Sequence, residues 1–506
     1  MVSPRVPSRR ARWDDGIPPV LRPLMRAYLL GYASAVAPRL LTLFLQYLTG
    51  RRHKVPARDT PSGTADAEAK TKGVHVQGQL FLDSLRHVLL GGLDLQRFPT
   101  FCATIVGGST LLEVPLKGVF NHFAQNLPEL ARKRLSRWVA SFISAWFGLR
   151  LLQSKQTPSF TETITSNPGD GHSVNGAEKQ TTIRHAGRTL DLSLFAATRA
   201  LDVIVGELWA RRKTRRLTAQ KWTRLERAIS RLIDPAMFAL SSGLIMWTWI
   251  YRPSRLPRSY NKWIGSAAAV DGRLIEALRR CRQGELRYGE ETGQAPLLGA
   301  MCADYGWPMQ WGDPAKSIPF PCEMVHMGSG GSSCELHTVT RFVRSFRWAM
   351  ATYLPLTLLL AVRSPNLKGI RRAVISAVRS SAFLGAFISL FFYGVCLART
   401  RLGPRLLGTG TAARQAIDGG LCVASGCVLC GWSIMIENAR RRKDMALFVA
   451  PRALATLLPR RYAWDKQWRE TFVFAFSTAV VFTCVVENKA RVRGVLGSVL
   501  GTVLKP

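Results

Sequence analysis

Uncharged apolar runs constrain this chain more than any other feature. Ser380 to Ala398 carries no charge for 19 residues, Gly419 to Ile436 for 18, Pro235 to Tyr251 for 17, Thr471 to Val486 for 16 and Trp348 to Val362 for 15. A bilayer-crossing helix needs about 20 mostly apolar residues, with about 17 as a lower bound, because each residue rises only ~1.5 Å. The shorter runs reach that length through flanking residues whose aliphatic stems stay in the apolar layer while their charged heads reach water. Met25 to Leu48, Phe98 to Leu112 and Trp138 to Leu149 are weaker segments, suited to spans or to re-entrant or interfacial helices. Buried core helices are the alternative, but five such runs, most ending at Arg, Lys or Glu, fit spans better. The expected fold is therefore all-α: a polytopic transmembrane helical protein of six to eight spans.

Charge supports that reading. Seventy Lys and Arg stand against 32 Asp and Glu, a formal net charge of +38, yet 47% of the 506 residues are hydrophobic. The mean hydropathy is +0.04. A chain this basic without membrane segments would be clearly hydrophilic, so the combination excludes a wholly disordered basic protein and argues against a cytosolic enzyme. Residues 1–19 read as a basic tail. It lacks the apolar core of a secretory signal, and Pro4 and Pro7 interrupt any amphipathic presequence helix. The end, Leu504-Lys505-Pro506, is not a peroxisomal tripeptide. Ten scattered cysteines, several inside apolar runs, are not a secreted disulfide framework. Residues 211–231 hold nine basic side chains and one acid, Glu226. No zinc-finger, RNA-binding or helix-turn-helix signature accompanies them, so they are expected to face anionic lipid and not nucleic acid.

The two halves of the chain resemble each other in order. Asp191 to Leu201 aligns without gaps with Asp444 to Leu454, sharing Asp, Leu, Phe, Ala, Arg, Ala and Leu. Phe238 to Ser241 aligns with Phe474 to Ser477, Val139 to Ser141 with Val423 to Ser425, Arg97 and Phe101 with Arg379 and Phe383, and Pro38 with Pro355. Five matches in one order point to two internal repeats, 20–265 and 335–506, the first enlarged by polar inserts at 50–73 and 154–188 that read as flexible loops. An extramembrane connector, 266–334, lies between them. Nearly every loop is basic, so the positive-inside rule leaves the orientation open, and with it parallel or inverted halves.

Few residues point to chemistry. The repeated Phe-x-Ala-x-Arg-Ala-Leu element sets Arg199 and Arg452 in apolar surroundings, where an arginine must find a carboxylate, a lipid headgroup or water. Both are candidates for contact with an anion or lipid. They also suit snorkelling, or pairing with Asp191 and Asp444. Cys322, His326, Cys334 and His337 offer the two-sulfur, two-nitrogen set that tetrahedral zinc takes. Their spacing is not that of a standard finger, and a capped turn before a helix near His337 is the simpler reading. Cys427 and Cys430, with Cys422 nearby, look like a redox pair, but they lie in an apolar run with Gly420, Ser425, Gly426 and Gly431, where small residues let helices pack closely. No Ser-His-Asp arrangement, Walker loop, HExxH or dinucleotide fingerprint is present, and no cofactor is expected.

At the Cys322 to Cys334 turn and the Arg341 to Leu360 segment behind it, the chain resembles the transmembrane protein 135 family, as a fungal-type member. The resemblance runs on through Leu367 to Arg399, Gly419 to Leu458 and Glu470 to Leu500, and reaches the first half mainly through the internal match. Its matching turn residues are Cys322, His326, Ser333 and Cys334. That family is polytopic and distantly similar to mitochondrial translocase channel subunits and a small peroxisomal membrane protein. The resemblance implies a peroxisomal or mitochondrial membrane, with roles in organelle dynamics and lipid or sterol handling, and brings no catalytic residues. The expected function is thus non-enzymatic: organelle-membrane organisation or lipid handling, with the bilayer, anionic headgroups and other membrane proteins or a second copy as partners. One alternative is a transporter or channel with its path between the repeats, using Arg199, Arg452, Glu113 and residues 419–431. The other is a membrane enzyme using Cys322 and His326.

Overall fold

The computed structural model describes residues 14, 16–48, 81–165, 180–362 and 366–504. The first polar insert, 50–73, and most of the basic tail lie outside them. Ten principal helices follow in chain order: α1 (Arg22–Leu48), α2 (Phe98–Phe123), α3 (Glu129–Gln153), α4 (Leu190–Thr218), α5 (Arg224–Tyr251), α6 (Cys334–Ala361), α7 (Leu367–Leu397), α8 (Cys422–Cys430), α9 (Ala439–Leu457) and α10 (Gln467–Glu487). The architecture is an all-α, polytopic helical one.

Local signals in the sequence set several helix starts. Thr223 caps α5 in a reciprocal capping box with Glu226, which also accepts from Arg212 and Arg216, so two of the basic groups in 211–231 pair with its single acid. Asn366 caps α7 through Gly369 N at 2.6 Å, and Ser333 caps α6 through Leu336 N at 3.2 Å. Pro38, Pro115, Pro235, Pro355 and Pro451 all sit inside helices. Helix-interior proline is better tolerated in membrane helices, where neighbouring groups satisfy the freed carbonyls.

Among the described residues, five segments are long and apolar enough to cross a membrane: Arg22–Phe44, Arg224–Tyr251, Leu367–Leu407, Thr411–Ile436 and Trp464–Glu487. They make this an integral membrane protein. The expected six to eight spans would require one to three of α2, α3 and α6 to cross as well. Those helices carry charge within their length: Glu113 and Lys117 in α2, Arg132 to Arg137 in α3, and Arg341, Arg344 and Arg347 in α6.

The internally matched segments fall on helices of the same rank. Pro38 is in α1 and Pro355 in α6; Phe101 is in α2 and Phe383 in α7. The remaining three matches pair α3 with α8, α4 with α9 and α5 with α10. Neighbours repeat too: α1 packs on α2 as α6 packs on α7, and α2 on α3 as α7 on α8. The chain nevertheless divides into compact units that cut across the sequence halves. One comprises residues 1–208 and 461–506, the other 209–460. Each unit therefore contains the first four helices of one half and the fifth helix of the other: α10 packs on α3, and α5 packs on α8 and α9.

The core of the first unit joins Phe101 and Ile105 of α2, Leu149 of α3, Ala196 and Ala200 of α4, and Phe474 and Phe482 of α10. Phe101 and Phe474 meet with ring centroids 5.8 Å apart. The second insert was expected to be loop. Its described parts instead pair as antiparallel strands β1 (Thr161–Thr165) and β2 (Gln180–Ala186), with β2 continuing onto β3 (Tyr462–Ala463). Thr and Ile supply strand preference there, and pairing satisfies backbone groups that a free loop would leave to water.

In the second unit, small residues let backbones approach. A Cβ on Gly426 of α8 would lie 2.7 Å from the Phe391 carbonyl of α7, and one on Gly431 would lie 2.4 Å from Ala239 Cα of α5. The glycine-rich run thus serves packing, as small residues do in membrane helices. The short helix Arg258–Ala268 follows α5, and two more, Gly272–Gln283 and Ala295–Tyr305, lie in the connector, which has its own core of Leu286, Leu298, Met301, Cys302, Phe320 and Met324. Arg341 of α6, almost fully buried, donates to the Ala268 and Ala269 carbonyls at 3.1 Å each, capping Arg258–Ala268. The Gly426→Ala variant should lower the thermal midpoint of the purified chain, since overpacking costs about 1–3 kcal/mol. Gly410→Ala, where a Cβ meets open space, should not; equal midpoints for the two would contradict this packing.

Candidate functional site

The Cys/His turn is a built feature. Cys322 opens the short helix Cys322–Val325, His326 follows it, and Cys334 begins α6. One ligand atom from each of Cys322, His326 and Cys334 lies within 4.8 Å of the other two. The intervening Gly-Ser segment folds back because Met327, Gly328, Gly330 and Gly331 all have positive φ. At Gly330 a Cβ would lie 2.5 Å from His337 N, so glycine is required for this close return. The turn brings the Gly331 carbonyl to 2.7 Å from His326 Nδ1. A carbonyl only accepts, so Nδ1 carries the proton and Nε2 keeps its lone pair. That lone pair faces Cys396 Sγ of α7 at 3.3 Å. Burial lowers the His326 pKa and raises that of the Cys322 thiol, so without a metal both stay neutral at pH 7.

His337 does not join the cluster as the sequence suggested. Its ring stacks on that of His326, with centroids 4.2 Å apart and planes 12° from parallel, and its Nδ1 meets the Ser329 hydroxyl at 2.8 Å. Three residues beyond Cys334 in the first turn of α6, its side chain lies beside His326 and not opposite it. The expected capped turn is present as well, through Ser333. Cys427 and Cys430 are buried, unoxidised and helical, and Cys430 Sγ reaches only the Cys427 carbonyl, at 3.5 Å. They pack.

One turn beyond Cys396, sequence reasoning passed over a buried ion pair. Arg399 Nε meets Asp418 Oδ1 at 2.7 Å and its second nitrogen meets Oδ2 at 2.9 Å. Both residues lie in π-helical turns, Ala398–Leu402 and Ile417–Leu421. The wide turn is accommodated at Gly403, where a Cβ would lie 2.2 Å from the Ala398 carbonyl. The connector completes the pair: Arg399 also donates to the Phe320 carbonyl at 3.1 Å, and the Tyr288 hydroxyl donates to Asp418 Oδ2 at 2.6 Å. Burial, reinforced by the Asp418 carboxylate, pushes the Tyr288 hydroxyl well above its usual pKa and keeps it a donor. An adjoining cavity of about 80 Å³ is lined by apolar side chains such as Ile250, Leu278 and Phe391.

The two repeated arginines occupy different surroundings. Arg199, in the first unit, is buried, lies over the Phe195 ring at 5.1 Å and reaches the Arg493 carbonyl at 3.4 Å. Arg493 in turn pairs with Asp202. Arg452, in the second unit, is half-buried at the edge of a cleft of about 470 Å³ walled by α5, Arg258–Ala268, α6, α7 and α9. Tyr260, Trp263, Phe383, Phe387 and Phe448 give it an aromatic lining. The Arg452 guanidinium lies 3.7 Å from the Phe448 ring centroid and donates to the Phe448 carbonyl at 3.3 Å. Among the described residues no carboxylate lies within ion-pair distance of it. Glu113, also raised as a pathway residue, pairs with Arg137 at 2.6 Å.

Comparison with protein-family models, with curated proteins and with solved structures returns no match. The geometry therefore carries the functional argument. Asp418→Ala should destabilise the purified chain by about 3–5 kcal/mol, because it strands a buried guanidinium. The double variant Arg399→Met, Asp418→Leu should recover much of that loss in a thermal melt. Equal melting of the single variant and the parent would contradict a closed, buried pair.

Proposed function

We propose that this integral membrane protein handles anionic lipid, without chemistry of its own, in a peroxisomal or mitochondrial membrane. The cleft beside Arg452 is the observation that carries this reading. Its volume falls within the usual range for small-molecule sites, and its wall is almost wholly apolar. A single cation marks its edge, with most of its five N–H donors uncommitted. That arrangement suits an amphiphile: acyl chain along Phe383, Phe387 and Trp263, and phosphate on the planar guanidinium fork. Basic clusters such as 211–231 would add attraction for an anionic leaflet at about 1 kcal/mol per charge near the surface.

The organelle assignment rests on the resemblance to the transmembrane protein 135 family, and membrane organisation would follow from lipid held between helices. The test uses the full chain purified in mild detergent and native mass spectrometry of retained lipid. Phosphatidic acid or cardiolipin should outcompete phosphatidylcholine. Arg452→Ala should weaken that preference about tenfold, as expected for loss of one charge-assisted contact. Arg452→Lys should keep part of it, and Ala267→Trp, which fills the cleft, should weaken retention of every lipid. Retention indifferent to all three substitutions would contradict the reading. A tagged chain should resist carbonate extraction and sediment with peroxisomes or mitochondria; recovery in another membrane would refute the organelle part alone.

A further inference from the structure

We infer that Cys322, His326, Cys334 and Cys396 form a closed four-ligand site for zinc that fastens the connector to the ends of α6 and α7. Three of the donors already cluster, with ligand atoms within 4.8 Å of one another. Cys396 supplies the fourth: its Sγ is 3.3 Å from His326 Nε2. Four donors on a zinc ion with Zn–S bonds of about 2.3 Å would stand roughly 3.5–3.8 Å from one another. His326 thus touches both the three-donor cluster and Cys396, and a shared ion requires the Cys396 side chain to turn inward.

The surroundings are those of a ligand site. His326 is fully buried, and the Gly331 carbonyl on Nδ1 fixes the tautomer that leaves Nε2 free to ligate. A carbonyl holding the second nitrogen is the usual outer partner of a zinc-bound imidazole. Cys334 opens α6, so its position is fixed by the start of that helix. Cys396 and Cys334 are both buried, and His337, stacked on His326 and edged by Phe392 at 5.5 Å, covers one side.

The donor set chooses the metal and the role. Three thiolates and one imidazole in tetrahedral array suit zinc over hard, oxygen-seeking cations. All four positions are filled by protein, which marks a structural site and not a catalytic one. Binding releases three thiol protons to solvent and leaves a net charge of −1 at the centre, one turn before Arg399, which lies just past α7. The function of the site is mechanical. Ligands from the turn, from the start of α6 and from the end of α7 are joined at one point, so the connector cannot leave the helices without losing the metal.

The test is metal analysis of the full chain purified from cells without added chelator. We expect about one zinc per chain. Cys396→Ser should reduce this at least severalfold, whereas His337→Ala and Cys427→Ser should leave it unchanged. A second measurement needs no variant: cobalt exchanged into the parent chain should give the intense visible bands of tetrahedral thiolate coordination. The site does not depend on the lipid reading, so Arg452→Ala should retain its zinc. A parent chain that lacks zinc and shows no tetrahedral cobalt spectrum overturns the inference. So does zinc that survives Cys396→Ser but is lost in His337→Ala.

Discussion

The buried pair of Arg399 and Asp418 is the interaction on which the second unit depends. A guanidinium and a carboxylate removed from water cost several kcal/mol each, and they persist only when every donor and acceptor is met. Here that requirement is met from three directions. Two π-helical turns bring the charges face to face, and the connector closes the set with the Phe320 carbonyl and the Tyr288 hydroxyl. The connector is thereby tied to the apolar helices by groups that cannot be left unpaired. Phe320 precedes Cys322 by two residues, and Cys396 precedes Arg399 by three, so the ion pair and the cysteine cluster share one strip of connector and the C-terminal end of α7 with the turn that follows it.

The matched segments recur in the order of the helices. Both halves run through five helices of matching rank, and neighbouring pairs recur. The fifth helix of each half nevertheless completes the unit built by the other half's first four. Such an exchange adds no new type of contact: Phe474 of α10 enters a core with α2 and α3, and Phe238 of α5 enters one with α6 and α7. It follows that neither half of the sequence holds a complete unit.

Much of this was legible in the sequence. The charge-free runs picked out four of the five segments long and apolar enough to cross a membrane, those of α5, α7, Thr411–Ile436 and α10, because hydropathy over such lengths is a strong signal. The matched motifs fall on helices of the same rank, and the glycines of 419–431 announced close packing. Cys322, His326 and Cys334 were found because zinc-type donors stand out by residue type. Cys396 was not, because a cysteine near the end of a 19-residue apolar run looks like any other small membrane residue. Arg399 and Asp418 were hidden for a related reason. Each stands next to an apolar run, where a charge is ordinarily the residue that leaves the membrane. Only the three-dimensional return of one run against the other, with Tyr288 and Phe320 from more than 75 residues away, reveals that they face inward. The exchange of fifth helices carries no sequence signal either, since the segments that match, Phe238 to Ser241 and Phe474 to Ser477, do not say which neighbours each will take.

The connector is held on the apolar helices by side chains of α7 and its neighbours, and is not a freely tethered loop. Hydrogen–deuterium exchange of the unmodified full chain in lipid nanodiscs tests it most directly. The account predicts strong protection of amides around 286–288 and 320–326, approaching that of the spanning helices, because those segments carry the contacts to Arg399, Asp418 and Cys396. Exchange of the same amides at the rate of an unstructured peptide, with α7 still protected, would contradict it.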